Sequence, residues 1–388
     1  MIWEEIDNQL ANLTAQGLLR RRRTLESPCG PEAMLDGRKL LSFASNDYLG
    51  LAADPALIEA AREAATQWGV GAGASHLVCG HMTPHELLEQ KLANFVGAER
   101  ALFFSTGTMA NLGIVPALVG RGDAVFADRL NHASLIDAAL LSRADHLRYP
   151  HNDLTTLENQ LSASRAKRKL ILTDAVFSMD GDLAQLPQLL QLAERFDAWL
   201  VVDDAHGFGV LGKNGRGTLS HFGIGLSQRL ILMGTLGKAA GVSGAFVAGS
   251  ANVIEWLMQR ARTYIFTTAS SPIIAGTLLT SLQLIEQGDT RRAHLQALIR
   301  RLQASLAGTR WNLLTSPTAI QPILIGENDE VLRVAAALAE QGIWVPAIRP
   351  PTVPQGTARL RVSLSAAHSL AQVDRLVEAL RQLELHQI

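Results

Sequence analysis

Short apolar runs, each separated from the next by a helix-length segment, recur through the middle of this chain. Ala101-Leu102-Phe103-Phe104-Ser105 is followed by Ala124-Val125-Phe126-Ala127, Leu170-Ile171-Leu172-Thr173 and Trp199-Leu200-Val201-Val202-Asp203. Leu230-Ile231-Leu232-Met233 and Ala245-Phe246-Val247-Ala248 complete the series. Four apolar residues in a row, as in the Trp199 segment, fit a strand covered on both faces. Strands of this kind alternating with helices predict an α/β fold, a large mostly parallel sheet flanked by helices. In an open parallel sheet, ligands bind beyond the carboxyl ends of the strands. The residues that end these runs are therefore the ones to read for chemistry.

The flanks read differently. Residues 2–23 suggest an amphipathic helix with Ile6, Leu10 and Leu13 on one face and Arg20-Arg21-Arg22-Arg23 at its negative end. Lys39–Ser45 reads as a strand. After about residue 289 an arginine-rich helix precedes a strand at Ile320–Ile325 and a helix at about 329–341. Strands at Ile343–Ile348 and Arg359–Leu364 and a final helix at about 369–385 follow. This divides the chain into an N-terminal segment (1–45), a large α/β domain (46–288) and a smaller C-terminal α+β domain (289–388). A length of 388 residues with 47% hydrophobic content supplies cores for more than one domain. The formal charge of −1 gives no global electrostatic reason to bind nucleic acid. No apolar run approaches the roughly 20 residues that span a bilayer. Glu4, Glu5 and Asp7 stand where a secretory signal needs basic residues. Two cysteines, Cys29 and Cys79, make neither a disulfide framework nor a zinc pattern, so a cytoplasmic setting is expected.

Five strand ends or following loops carry groups with chemical potential. They are Gly107-Thr108, His132, Ser178, Asp203-Asp204-Ala205-His206 and, after Gly234-Thr235-Leu236-Gly237, Lys238. A phosphate-loop reading of Lys238 fails on residue identity. Leu232 stands where that motif needs its first glycine, and Ala239 where it needs Ser or Thr. Each residue alone has an ordinary explanation: a turn glycine, a helix-start histidine, a loop hydroxyl, a strand-end acid. Together, one lysine, one strand-end carboxylate and an imidazole with no metal triad point to pyridoxal phosphate. The lysine joins the cofactor aldehyde, and a buried carboxylate keeps the pyridine nitrogen protonated. An opposite charge at hydrogen-bond range moves a pKa by ~1–3 units, enough to set that protonation state. The phosphate calls for backbone N–H groups at a helix start, which Gly107-Thr108 offers.

Several separate motifs then occur in order: Ser45-Asn46-Asp47-Tyr48-Leu49-Gly50, Asn131-His132-Ala133-Ser134, Phe177-Ser178-Met179-Asp180-Gly181-Asp182, Asp203-Asp204-Ala205-His206-Gly207 and Thr235-Leu236-Gly237-Lys238. With them the chain resembles the α-oxoamine synthases. These are fold-type I pyridoxal-phosphate enzymes that condense an amino acid with an acyl thioester and release carbon dioxide. The resemblance implies that Lys238 holds the cofactor and removes the α-proton. It assigns Asp203 to the pyridine nitrogen, His206 to the phenolic oxygen and His132 to the ring face. Ser178, Thr235, Gly107 and Thr108 would complete the cofactor site. It also implies a homodimer with the active site between subunits, where Thr267-Thr268 reach the partner's phosphate.

Within the family, the stretch from Ala347 to Arg361 resembles members that join L-alanine to a pimeloyl thioester, carried on coenzyme A or on acyl carrier protein. By that resemblance Arg361 holds the amino acid carboxylate, a bidentate task suited to guanidinium. Arg20, Asn46, His132 and Thr352 would contact substrate. Two alternatives remain in view: members that use glycine with a different thioester, and a non-catalytic subunit or cofactor-binding regulator. Two positions depart from the family pattern. Thr108 replaces a common aromatic residue, and Asp174 replaces a glutamate.

Overall fold

The computed structural model describes residues 2–20 and 22–385; Arg21 of the arginine run lies outside the described residues. The chain forms two compact units, residues 46–295 and residues 1–45 with 296–388.

Strands β1 (Glu32–Leu35) and β2 (Arg38–Ser42) precede the larger unit in sequence. The larger unit is built on β3 (Arg100–Phe104), β4 (Ala124–Asp128), β5 (Asp145–Tyr149), β6 (Lys169–Asp174), β7 (Ala198–Asp203), β8 (Leu230–Thr235) and β9 (Ala245–Gly249). These lie in the order β3-β9-β8-β7-β6-β4-β5. Strands β5, β4, β6, β7 and β8 are parallel, whereas β9 runs antiparallel to both β8 and β3. The apolar runs occupy the middle of the sheet, and Val125, Leu170, Leu172, Val201 and Ile231 have no accessible surface. The fold class expected from alternation is the one observed. Sequence periodicity passes over β5, because Asp-His-Leu-Arg-Tyr sits at the sheet edge and keeps polar side chains half in water. The helix Leu154–Ala163 that follows it is passed over as well.

The register of the parallel strands brings their carboxyl ends to one edge. Asp174 pairs with Asp203, and Asp203 with Met233. Each end then turns into a loop or helix that carries a candidate side chain. Gly107 opens the helix Gly107–Leu118, two residues before Met109, and the Thr106 hydroxyl caps it by accepting the Met109 N–H at 3.1 Å.

In the other unit, β10 (Asn312–Leu313), β11 (Ile320–Gly326), β12 (Ile343–Trp344), β13 (Ala347–Ile348) and β14 (Ala358–Ser363) join β1 and β2 in two small sheets. Their orders are β1-β2-β12 and β10-β11-β14-β13. The single strand expected at Ile343–Ile348 is thus two strands in different sheets. Pro346 between them lacks an N–H for a ladder, and its carbonyl accepts from Arg361 N at 2.9 Å.

The N-terminal helix differs more. It spans Ile2–Ala15 and not 2–23. Gly17 adopts φ +64, and Leu18 N returns to Leu13 O at 2.8 Å, which ends the helix. Arg20, Arg22 and Arg23 therefore follow the helix and do not complement its dipole. Ile6, Leu10 and Leu13 share one face as expected, yet all three are exposed. Among the described residues, no helix is long and apolar enough to cross a membrane.

Candidate active site

Lys238 follows β8 in a loop that Gly244 and Thr235 fold back on itself: Leu236 N donates to Gly244 O, and the Thr235 hydroxyl to the same carbonyl at 3.1 Å. The half-buried ammonium-bearing chain of Lys238 places Nζ 2.8 Å from His206 Nε2. His206 is buried, and its Nδ1 lies 2.6 Å from the Tyr48 hydroxyl. Tyr48 in turn donates to Asn46 Oδ1 at 3.1 Å. With the Tyr48 proton on Asn46, His206 Nδ1–H donates to Tyr48. Its Nε2 is then the acceptor that faces Lys238.

Asp203 ends β7, is 3% exposed, and keeps a second line of contacts. Its Oδ1 accepts from Ala205 N at 3.0 Å and its Oδ2 from Asn111 Nδ2 at 2.9 Å. The same Asn111 amide donates to Ser134 Oγ at 2.9 Å, and Ser134 Oγ lies 2.7 Å from His132 Nδ1. His132 Nδ1 also accepts from Ser134 N at 3.2 Å, so the ring proton sits on Nε2. Carboxylate, amide, hydroxyl and imidazole thus form one hydrogen-bonded line across three strand ends. Asn111 Oδ1 is buried without a partner.

Asp174 ends the neighbouring strand β6. It is shorter than the glutamate of the family pattern, yet its Oδ2 accepts the His132 N–H at 2.6 Å. Burial, reinforced by the adjacent Asp203 carboxylate, raises the Asp174 pKa well above the usual carboxyl range. Asp204, also buried, is pushed up to about 7 by desolvation, against the Thr218 donors that favour its charge. Of these three strand-end acids, Asp203 is the one that faces the Asn111 amide.

Ser178 is half-buried at the tip of a small hairpin after β6. Gly107 is half-buried and Thr108 exposed at the start of their helix. Thr267 and Thr268 belong to the same unit, after the short helix Arg262–Ile265, and Thr268 is exposed. Arg20, Thr352 and Arg361 belong to the other unit. There Arg361 is buried on β14 with Nη1 on Ser363 Oγ at 2.7 Å, while Thr352 and Arg20 are exposed. Sequence reasoning singled out neither Tyr48 nor Asn111 nor Ser134. Tyr48 and Ser134 stand inside quoted motifs; Asn111, a polar residue one turn into a mostly apolar helix, was the available signal for the third.

Residues 38–380 match the aminotransferase class I and II family. An 8-amino-7-oxononanoate synthase of Herminiimonas arsenicoxydans is 74% identical over 98% of this chain and 99% of its own. One from Aromatoleum aromaticum is 63% identical over 99% of both. The chain belongs to the class I and II aminotransferases, in their α-oxoamine synthase branch. Among solved structures, a serine palmitoyltransferase of S. paucimobilis with bound PLP and myriocin superimposes with a TM-score of 0.91 at 30% identity, covering 98% of this chain and 96% of that one. An 8-amino-7-oxononanoate synthase of Francisella tularensis gives 0.78 at 33% identity, over 90% and 99%. This α-oxoamine synthase fold explains why the chemistry-bearing groups gather at the carboxyl edge of the larger unit's sheet.

Proposed function

We infer that the chain catalyses the 8-amino-7-oxononanoate synthase reaction of biotin biosynthesis. L-alanine and a pimeloyl thioester, on coenzyme A or acyl carrier protein, give 8-amino-7-oxononanoate, carbon dioxide and free thiol. Full-length identity of 74% and 63% to relatives of that name supports this reaction over the glycine-using alternatives. The observation that carries the chemistry is the pairing of Lys238 and His206 beside a buried Asp203 whose amide partner fixes its orientation.

These residues fit pyridoxal phosphate. Asp203 offers a desolvated negative charge for a pyridinium, and a capped helix start at Gly107-Thr108 offers N–H groups for a phosphate. Lys238 offers an amine whose neighbour is an acceptor nitrogen. When bound, the cofactor supplies an aldehyde for amine capture and a cationic ring that withdraws electrons from the α-carbon. Lys238 would hold the cofactor through Nζ, and the same Nζ would serve as the base for the α-proton of alanine. His206 Nε2 stabilises a proton on Nζ or on the cofactor's phenolic oxygen, and Tyr48 keeps its tautomer fixed. His132 covers the ring face, with its orientation set by Ser134 and by the Asp174 contact to its backbone. Ser178 and Thr235 bind around the ring and phosphate. Arg361 takes the alanine carboxylate, and Arg20, Asn46 and Thr352 contact substrate.

A homodimer belongs to the same reading, with Thr267-Thr268 at the partner's phosphate. Its support is an unfilled surface around that segment. Leu140, Leu141 and Phe266 are exposed, and a cavity of about 940 Å³ is lined by Met109, Leu141, Phe266 and Thr267. Lys238→Ala is expected to abolish the visible absorbance of lysine-bound cofactor and the product peak in mass spectrometry with alanine and a pimeloyl donor. Product formed at the wild-type rate would sink the assignment of Lys238.

A further inference from the structure

We propose that His151 is a positioning residue. It staples together the turn that delivers His132 and the hairpin that delivers Ser178, so that both face the cofactor in register. The proposal rests on the pyridoxal-phosphate reading above. His151 lies just past the edge strand β5 and has no place in the reaction itself. Its Nδ1 is 3.1 and 3.2 Å from the two carboxylate oxygens of Asp128, and its Nε2 is 2.8 Å from Asp182 Oδ2. Carboxylates on both nitrogens require both to donate, so the ring is an imidazolium.

Each carboxylate governs one loop. Asp128 is the last residue of β4 and 1% exposed. Its Oδ1 accepts from Leu130 N at 2.8 Å and its carbonyl from Asn131 N at 3.2 Å, forming the turn that leads to His132. Asp182 closes the hairpin around Ser178: its carbonyl accepts from Phe177 N at 3.0 Å, and Gly181 N returns to Phe177 O at 2.8 Å. The Phe177 ring stands edge-on to His151 with centroids 4.3 Å apart. Asn152 repeats the link in neutral form, donating from its backbone to Asp128 Oδ2 at 2.9 Å and from its side chain to Asp182 Oδ2 at 3.2 Å. One cation on the loop after β5 therefore joins the loops after β4 and β6, which carry two of the residues assigned to the cofactor.

The groups facing His151 are Asp128, Asp182, the Phe177 ring and the Asn152 amide. Tyr149 and Asp174 also sense Asp128: burial and then the Asp128 charge raise the Tyr149 pKa, while burial and the Asp203 charge, with a smaller push from Asp128, raise that of Asp174. Burial alone would lower the His151 pKa, but the two carboxylates outweigh it and hold it at about 9. The folded value lies above the ordinary 6.5, so the clamp is whole below that pH and is lost as pH rises through about 9.

The test measures pyridoxal-phosphate affinity by visible absorbance from about pH 7 to about pH 10, with the His151 ring followed by NMR in the cofactor-free protein. Wild type is expected to lose affinity as His151 deprotonates. His151→Gln is expected to bind the cofactor about 10- to 100-fold more weakly, as misplacement of a site by remote change does, and to lack the step near pH 9. Asp182→Asn is expected to keep the step and move it to lower pH. Unchanged affinity in His151→Gln, or a step unmoved in both variants, overturns the clamp. If His151→Gln does not fold, Asp182→Asn and the wild-type NMR titration decide by the same criteria. A wild-type protein that binds no pyridoxal phosphate overturns the parent reading and the clamp together, whereas tight binding indifferent to His151 overturns the clamp alone.

Discussion

Lys238, His206, Tyr48 and Asn46 form a line of donors and acceptors in which one assignment forces the rest. With the Tyr48 proton on Asn46, Tyr48 accepts from His206 Nδ1–H and His206 Nε2 accepts from Lys238. Tyr48→Phe removes the acceptor and leaves a buried N–H unsatisfied, a loss of about 1–3 kcal/mol. Expressed in turnover, we expect a drop of about 5- to 150-fold with cofactor still bound, since a 1.4 kcal/mol difference is about tenfold. A steady-state assay beside a cofactor absorbance spectrum separates the two; equal turnover would show that Tyr48 only fills space. Lys238, Asp203 and His206 were legible in the sequence because each is a reactive residue placed at a strand end. Tyr48 and Asn111 were not, because their importance lies in which atom they touch, and that partner is 158 residues away for Tyr48 and 92 for Asn111.

Among the elements, the helix Thr83–Val96 carries an unusual buried acid. Glu89 Oε1 accepts from Phe103 N at 2.8 Å, which ties this helix to the edge strand β3. Desolvation raises its pKa to about 8, with a smaller push from Glu86. The folded value exceeds 4.5, so the folded state holds the extra proton. Stability from this group is present below that pH and is lost as pH rises through about 8. Glu89→Gln keeps the acceptor without the charge. Its melting temperature should match wild type under acid conditions and exceed it above pH 8, where burying the charge costs on the order of 3–5 kcal/mol. A pH-independent difference would mean that Glu89 does not titrate there. Beside it, His85 donates to Ser270 O at 2.8 Å and accepts from Met82 N at 3.0 Å, while His81 pairs with His76 at 2.9 Å and with Glu86 at 3.1 Å. His85 thus ties the helix to Ser270, just after Thr267-Thr268, while His81 links His76 to Glu86. Central strands were readable from four apolar residues in a row. The edge strand β5 was not, since an unpaired flank tolerates Asp145, His146 and Arg148.

At the scale of the molecule, the larger unit carries the proposed cofactor residues and the smaller unit carries Arg20, Thr352 and Arg361. The exposed Phe266, with the Arg262 guanidinium over its ring at 4.8 Å, is the residue to change in testing the dimer. Phe266→Glu is expected to shift the protein toward monomer in light scattering and to weaken cofactor retention; an unaltered mass would place the subunit contact elsewhere. The sequence by itself determined the α/β class, the strand ends and the reactive residue types, because strand burial and helix alternation are written in local apolar periodicity. It also carried the family resemblance, because spaced motifs survive without coordinates. Tertiary structure alone decided that Asn111 orients Asp203, that Asp174 still reaches His132, and that His151 bridges Asp128 and Asp182. The end of the first helix at Ala15, by contrast, is local, set by Gly17 at positive φ and the return of Leu18 N to Leu13 O. The physical reason is range: periodicity is set by neighbours a few residues away, whereas the direction of a hydrogen bond between strand ends is set only when the parallel register brings them to one edge.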